Sequence, residues 1–98
     1  MASFVKLLKK IKMKASIELT MSPLQDDYEQ HIIDFIKTLR NSEFTVIENP
    51  LATQIYGDFV PMMEFLTREM NLSMEKTKAV LFYMKVVKTD RHDYEPFF

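Results

Sequence analysis

Between Ala15 and Met21 the apolar residues Ala15, Ile17, Leu19 and Met21 alternate with Ser16, Glu18 and Thr20, and a few positions later the spacing changes to a helical stripe. A period of two marks a strand buried on one face, and a period near 3.6 marks an amphipathic helix. The switch predicts a strand that feeds a helix packed back against it. Ser22-Pro23 is the expected break. The helical stripe is Tyr28, Ile32, Phe35, Ile36 and Leu39, at i, i+4, i+7, i+8 and i+11. Asp26 or Asp27 is placed to cap the helix start, and Asn41-Ser42 to stop it.

The same reading continues along the chain. Phe44 to Glu48 is a short strand rich in β-branched residues, Asn49-Pro50 a turn, and Ala52 to Gly57 a third strand near enough to pair with the second as a hairpin. Asp58 is a candidate cap for a second helix with the stripe Phe59, Met62, Met63, Leu66 and Met70. Pro61 is tolerated there because the first turn needs no intrahelical N–H. These methionines read as core filler, and the helix is expected to end within Asn71 to Thr77. The run Ala79 to Val87, AVLFYMKVV, is apolar enough to predict a central strand.

The resulting order is β-α-β-β-α-β. Two right-handed crossovers then place both helices on one face of a four-stranded antiparallel sheet, a ferredoxin-like α+β fold. The other face stays open and should carry Ser16, Glu18, Thr20, Gln54, Tyr56, Tyr83 and Lys85. That set is too mixed for a core and too aromatic for a plain solvated surface. It predicts a homodimer through the open sheet face, with a tetramer as a further step.

The 98 residues amount to about one domain, and a core this small gains from association. There is no Cys, which excludes disulfides and thiolate chemistry and fits a cytoplasmic compartment. Lys6, Lys9, Lys10, Lys12 and Lys14 are five of the 13 basic residues, so the remainder carries eight basic against 14 acidic residues, a net −6. An acidic body disfavours nucleic acid as a partner. No apolar run approaches the ~18–20 residues of a membrane-spanning helix. Residues 1–12, with Phe4, Val5, Leu7, Leu8 and Ile11 among the lysines, read as a basic amphipathic extension rather than a membrane contact. Residues 13–91 form the domain, and 92–98 an aromatic tail holding Tyr94, Phe97 and Phe98.

The residues offer little to catalysis. His31 and His92 are far apart and lack paired metal-ligand spacing, and a single Gly permits no phosphate-cradling loop. A small acylphosphatase of this fold would want Gly and Arg after the first strand, where Met21-Ser22-Pro23-Leu24-Gln25 stands. Asp26-Asp27 can in principle transfer protons, but acids at a helix start ordinarily favour the helix dipole. The expectation is a non-enzyme with no metal and no cofactor.

The strings IELTMSPLQDDYEQHIIDFIKTLR, NPLATQIYGDF and AVLFYMKVV resemble the YKOF-related family of thiamine and hydroxymethylpyrimidine binders. The likeness spans Lys14 to Arg91. It lies in Pro23, Leu24, Asp27 and Tyr28, and in the order Asn49, Thr53, Gly57, Asp58. The resemblance implies a single ferredoxin-like unit, used as a dimer, that binds the pyrimidine moiety of thiamine without catalysis, for carriage, buffering or delivery to transport.

An aminopyrimidine accepts hydrogen bonds at its ring nitrogens and donates from its amine. Thr20, Asn49, Thr53, Gln54 and Asp58 are suitable partners, and Tyr28 and Tyr56 offer stacking surfaces. Each also has an ordinary role. Asn49 suits a turn, Asp58 a cap and Tyr28 a core position, while Thr53 faces the helices and Gln54 and Tyr56 suit a dimer contact. The competing reading is a regulatory or protein-interaction module of the same fold without a small-molecule ligand.

Overall fold

The computed structural model describes residues 12–98, so the predicted N-terminal extension, Lys12 excepted, lies outside the described residues. The elements are β1 (Lys14–Pro23), α1 (Tyr28–Arg40), β2 (Thr45–Glu48), β3 (Thr53–Asp58), α2 (Phe59–Lys76) and β4 (Val80–Lys88). One antiparallel sheet has the order β2-β3-β1-β4, and together with the two helices this is the expected ferredoxin-like arrangement.

The alternation in β1 does what its period implies. Ala15, Ile17 and Leu19 are buried on the helix face, together with Ile55 of β3, Phe35 and Leu39 of α1, and Met62 and Leu66 of α2. Met63, Met70, Phe82 and Met84 pack around this cluster, so the methionine stripe is core filler as expected. β1 runs on through Ser22 to Pro23 because β4 pairs with it as far as Pro23↔Val80. Proline is tolerated at this strand end, where the ladder stops and no further N–H is required.

Three expectations need correction. β4 lies at the edge of the sheet, not the centre. Its apolarity comes from having side chains on both faces: Phe82 and Met84 turn to the core, while Leu81 and Tyr83 stand exposed on the open face. The two aspartates at the helix starts occupy the cap positions, but neither side chain bonds the helix backbone. Asp27 instead takes Gln25 and His31, and Asp58 takes Lys14 at 3.1 Å. Tyr28, offered as a core aromatic, is half exposed, with its hydroxyl turned toward Glu29.

The lone glycine has a specific reason. A Cβ on Gly57 would sit 2.8 Å from Cδ1 of Phe44, whose ring continues to Phe65 at a centroid distance of 5.6 Å. The α1 C-terminus is held to β2 by Arg40, which donates to both carboxylate oxygens of Glu48 at 2.5 and 2.7 Å. That pairing raises the Arg40 pKa and lowers that of Glu48.

Candidate functional site

Register decides which candidate residues meet. Leu19 of β1 lies opposite Thr53 at the start of β3, so the far end of β1 is level with the β2–β3 turn, and α1 crosses above both. Between them lies a cavity of about 200 Å³. β1 contributes Leu19, Thr20 and Met21; α1 contributes Ile32, Phe35, Ile36 and Leu39; the turn contributes Asn49 to Thr53.

The walls are apolar and carry no ionisable side chain. Thr53 is 8 % exposed and lines the cavity. Asn49 shapes the rim. Its Oδ1 accepts the amides of Leu51 and Ala52 at 2.9 and 3.0 Å, and its backbone N–H donates to the Ala52 carbonyl at 3.1 Å. This tight turn commits the side-chain oxygen and leaves the amide NH2 as the group available at the mouth.

Of the seven residues with suitable chemistry in the sequence, the fold therefore brings Asn49 and Thr53 to the cavity, and Thr20 only borders it, from a strand position that shares the open face with its partner Tyr83. The other four lie elsewhere. Tyr28 is at the exposed start of α1. Gln54 and Tyr56 are on the open face, opposite Glu18 and Ser16 of β1. Asp58 is at the opposite end of the sheet beside Lys14. The apolar lining from Ile32, Ile36 and Leu51 is a set that sequence reasoning does not mark as binding residues. Ile32 and Ile36 sit in the core stripe, which is the only signal the sequence carries for them.

The opposite end of the sheet has a different chemistry. A polar recess of about 360 Å³ is edged by Lys14, Glu43, Tyr56, Asp58 and Asp90. Its charges already satisfy one another: Lys14 pairs with Asp58, and Asp90 accepts from the His92 backbone at 3.0 Å and from its ring at 2.7 Å. The His92 ring meets Tyr56 edge-on at 6.1 Å. Burial pushes the Tyr56 phenol upward, helped by the charges of Asp90 and Glu18. The recess is larger than the apolar cavity, but its charged groups are paired with one another, Asp58 Oδ1 through the Lys14 ion pair alone among the described residues.

Among the described residues no group of three or more His, Asp or Glu is arranged to hold a metal ion, and no helix is long and apolar enough to cross a membrane.

Neither a protein-family model nor a curated protein matches the chain. Solved structures do. Protein SP2199 from Streptococcus pneumoniae superposes with a TM-score of 0.72 at 27 % identity, covering 76 % of this chain and 86 % of that one. TM0486 from Thermotoga maritima, a protein provisionally assigned to thiamine biosynthesis or salvage, gives 0.69 at 15 % identity over 74 % and 81 %. The domain of unknown function DUF77 from Bacillus cereus gives 0.69 at 11 % over 82 % and 80 %. These likenesses place the chain in one fold with a set of small α+β proteins, one of them linked to thiamine metabolism.

Proposed function

We propose that the chain binds a thiamine-type aminopyrimidine, thiamine or its hydroxymethylpyrimidine moiety, in the cavity between β1, α1 and the β2–β3 turn, without catalysis. The observation that carries this reading is the apolar cavity of about 200 Å³ with Asn49 and Thr53 in its lining. An apolar cavity of roughly 150 Å³ holds a benzene-sized ring, so this one suits a single substituted six-membered ring. The thiazolium of thiamine would project through the mouth past Asn49 and Leu51. A lining without acid or base supports binding rather than proton transfer. The thiamine-linked structural neighbour points the same way.

The protein acts in this reading as a carrier or buffer and assembles as a homodimer through the open sheet face. Thermal unfolding with hydroxymethylpyrimidine at about 100 times its Kd should raise stability by ~2.7 kcal/mol, a shift of roughly 10 °C or more in a domain this size. Thr53→Val should remove most of that shift. A melting temperature indifferent to both hydroxymethylpyrimidine and thiamine would sink the ligand assignment and favour an interaction module of the same fold.

A further inference from the structure

The C-terminal residues take a course the sheet alone does not explain. After β4 the chain turns at Thr89, the non-glycine residue with a left-handed φ of 100° among the described residues, an outlier for a β-branched side chain. The turn is held by β1. The Ser16 hydroxyl donates to the Thr89 carbonyl at 2.7 Å and accepts the Arg91 amide at 2.9 Å, while the Thr89 amide donates to the Lys14 carbonyl at 2.9 Å.

Ser16 belongs to the open face, opposite Tyr56 and Val87, and it is buried there by this crossing segment. His92 then lies against Tyr56 of β3. Residues 89–92 thus form a strap across one end of the open face, and a turn from the Tyr94 amide to the Arg91 carbonyl releases the chain beyond it.

Beyond the strap, apolar side chains stand in water. Phe97 and Phe98 are 95 % and 93 % exposed, and their rings meet each other edge-on at 5.3 Å. The open face itself presents Ile47, Leu81 and Tyr83, each also exposed. An aromatic arm rooted on an uncovered aromatic face, yet not seated on it, is complementary to the same face of a second copy.

We propose that Tyr94–Phe98 is an exchange arm: in a dimer of this chain, each arm crosses onto the partner's open sheet face and seats its two phenylalanines among the apolar residues there. The inference rests on the open-face dimer of the preceding reading and is independent of any ligand. Reciprocal arms satisfy two-fold symmetry, since the same patch is both donor and acceptor. Five extended residues reach ~17 Å, about half the length of β1.

The four phenylalanine rings of two arms, at 150–250 Å² each, supply roughly 600–1,000 Å². That is about half of the 1,200–2,000 Å² typical of a stable interface, and the sheet faces themselves supply the rest. Charge agrees as well: the arm and its root carry Asp93 and Glu95, and the face presents Lys85, held only loosely by Glu18 at 3.9 Å.

The test is sedimentation equilibrium of the full chain, of a chain ending at Asp93, and of the doubly substituted Phe97→Ser, Phe98→Ser chain. Circular dichroism confirms that each is folded. A dimer dissociation constant raised at least tenfold in both variants is the expected result. Equal dimerisation of all three overturns the arm while leaving the open-face dimer intact. A full chain that stays monomeric at 100-micromolar concentration overturns both.

The chain has no Trp, so Phe98→Trp adds a single reporter. Its emission should be blue-shifted only at concentrations where the dimer forms. A blue shift that survives dilution to monomer would mean that the arm folds onto its own subunit, and would equally overturn the exchange.

Discussion

The two ends of the central strand β1 show how one fold divides its labour. At the Pro23 end the surroundings are apolar and uncharged, around a cavity lined by Thr53. At the Lys14 end nearly every polar group is used, in the pairs Lys14 with Asp58, Asp90 with His92, and Ser16 with the strap. An end rich in satisfied hydrogen bonds is built to hold itself together, whereas an end with an open apolar cavity has room for a small molecule.

The contrast is sharpest under substitution. Leu39→Ala should be the most damaging change, because Leu39 is fully buried and also forms the cavity wall. A loss of about 2–5 kcal/mol is expected, measured by urea unfolding, with a correspondingly larger void. Ser16→Ala comes next. It strips the strap of both side-chain bonds, and a loss of about 1–2 kcal/mol should lower the melting temperature by roughly 5–10 °C.

Thr53→Val, at the cavity end, should move the stability of the ligand-free protein by less than ~1 kcal/mol, since the two side chains have nearly the same shape and Thr53 borders the cavity. If Thr53→Val proved as costly as Ser16→Ala, the comparison would fail, because Thr53 would then be structural.

The smallest effect concerns pH. The ring hydrogen bond to Asp90, aided by the charges of Asp90 and Asp93, raises His92 above 6.5. The His92 backbone N–H, with help from its ring and from Lys14, lowers Asp90 below 3.8. A raised base stabilises below its unfolded pKa and loses that contribution as pH rises through its folded pKa. A lowered acid stabilises above its unfolded pKa and loses that contribution as pH falls through its folded one. The strap should therefore be tightest between pH 3.8 and 6.5, and loosen on either side. Amide hydrogen exchange at Arg91 and Tyr94 would report it. His92→Asn should remove the alkaline limb, and the cavity end should show no counterpart.

Much of the fold is legible in the sequence because periodicity is local. The alternation from Ala15 to Met21 and the stripe from Ile32 to Leu39 each name a face without reference to the rest of the chain. The place of β4 is misread for the same reason. A residue such as Tyr83 looks equally apolar whether it lies between two layers or on an unpartnered face, and only the strand order separates the two.

The aspartates at the helix starts show a related limit, since Asp58 finds an ion pair with Lys14, 44 positions upstream, in place of the local backbone. For the site, residue chemistry identifies suitable groups but not their positions. Thr53 and Gln54 are neighbours in sequence, yet strand alternation sends one to the helices and the other to the open face. Thr53 comes level with the far end of β1 only through the register that sets Leu19 opposite it. The strap has no local signal at all, because its central hydrogen bond joins residues 73 positions apart.

That separation bears on how the molecule comes to be folded. β1 leaves the ribosome before its neighbours but sits between β3 and β4, so its ladders close only when the final strand has emerged. Until then Ile17 and Leu19 lack half their shelter, and the long loops to be closed make this a slow step. A nascent chain stalled before Val80 would present β1 with one edge unpaired. The period before β4 docks is when this small domain most needs protection from aggregation.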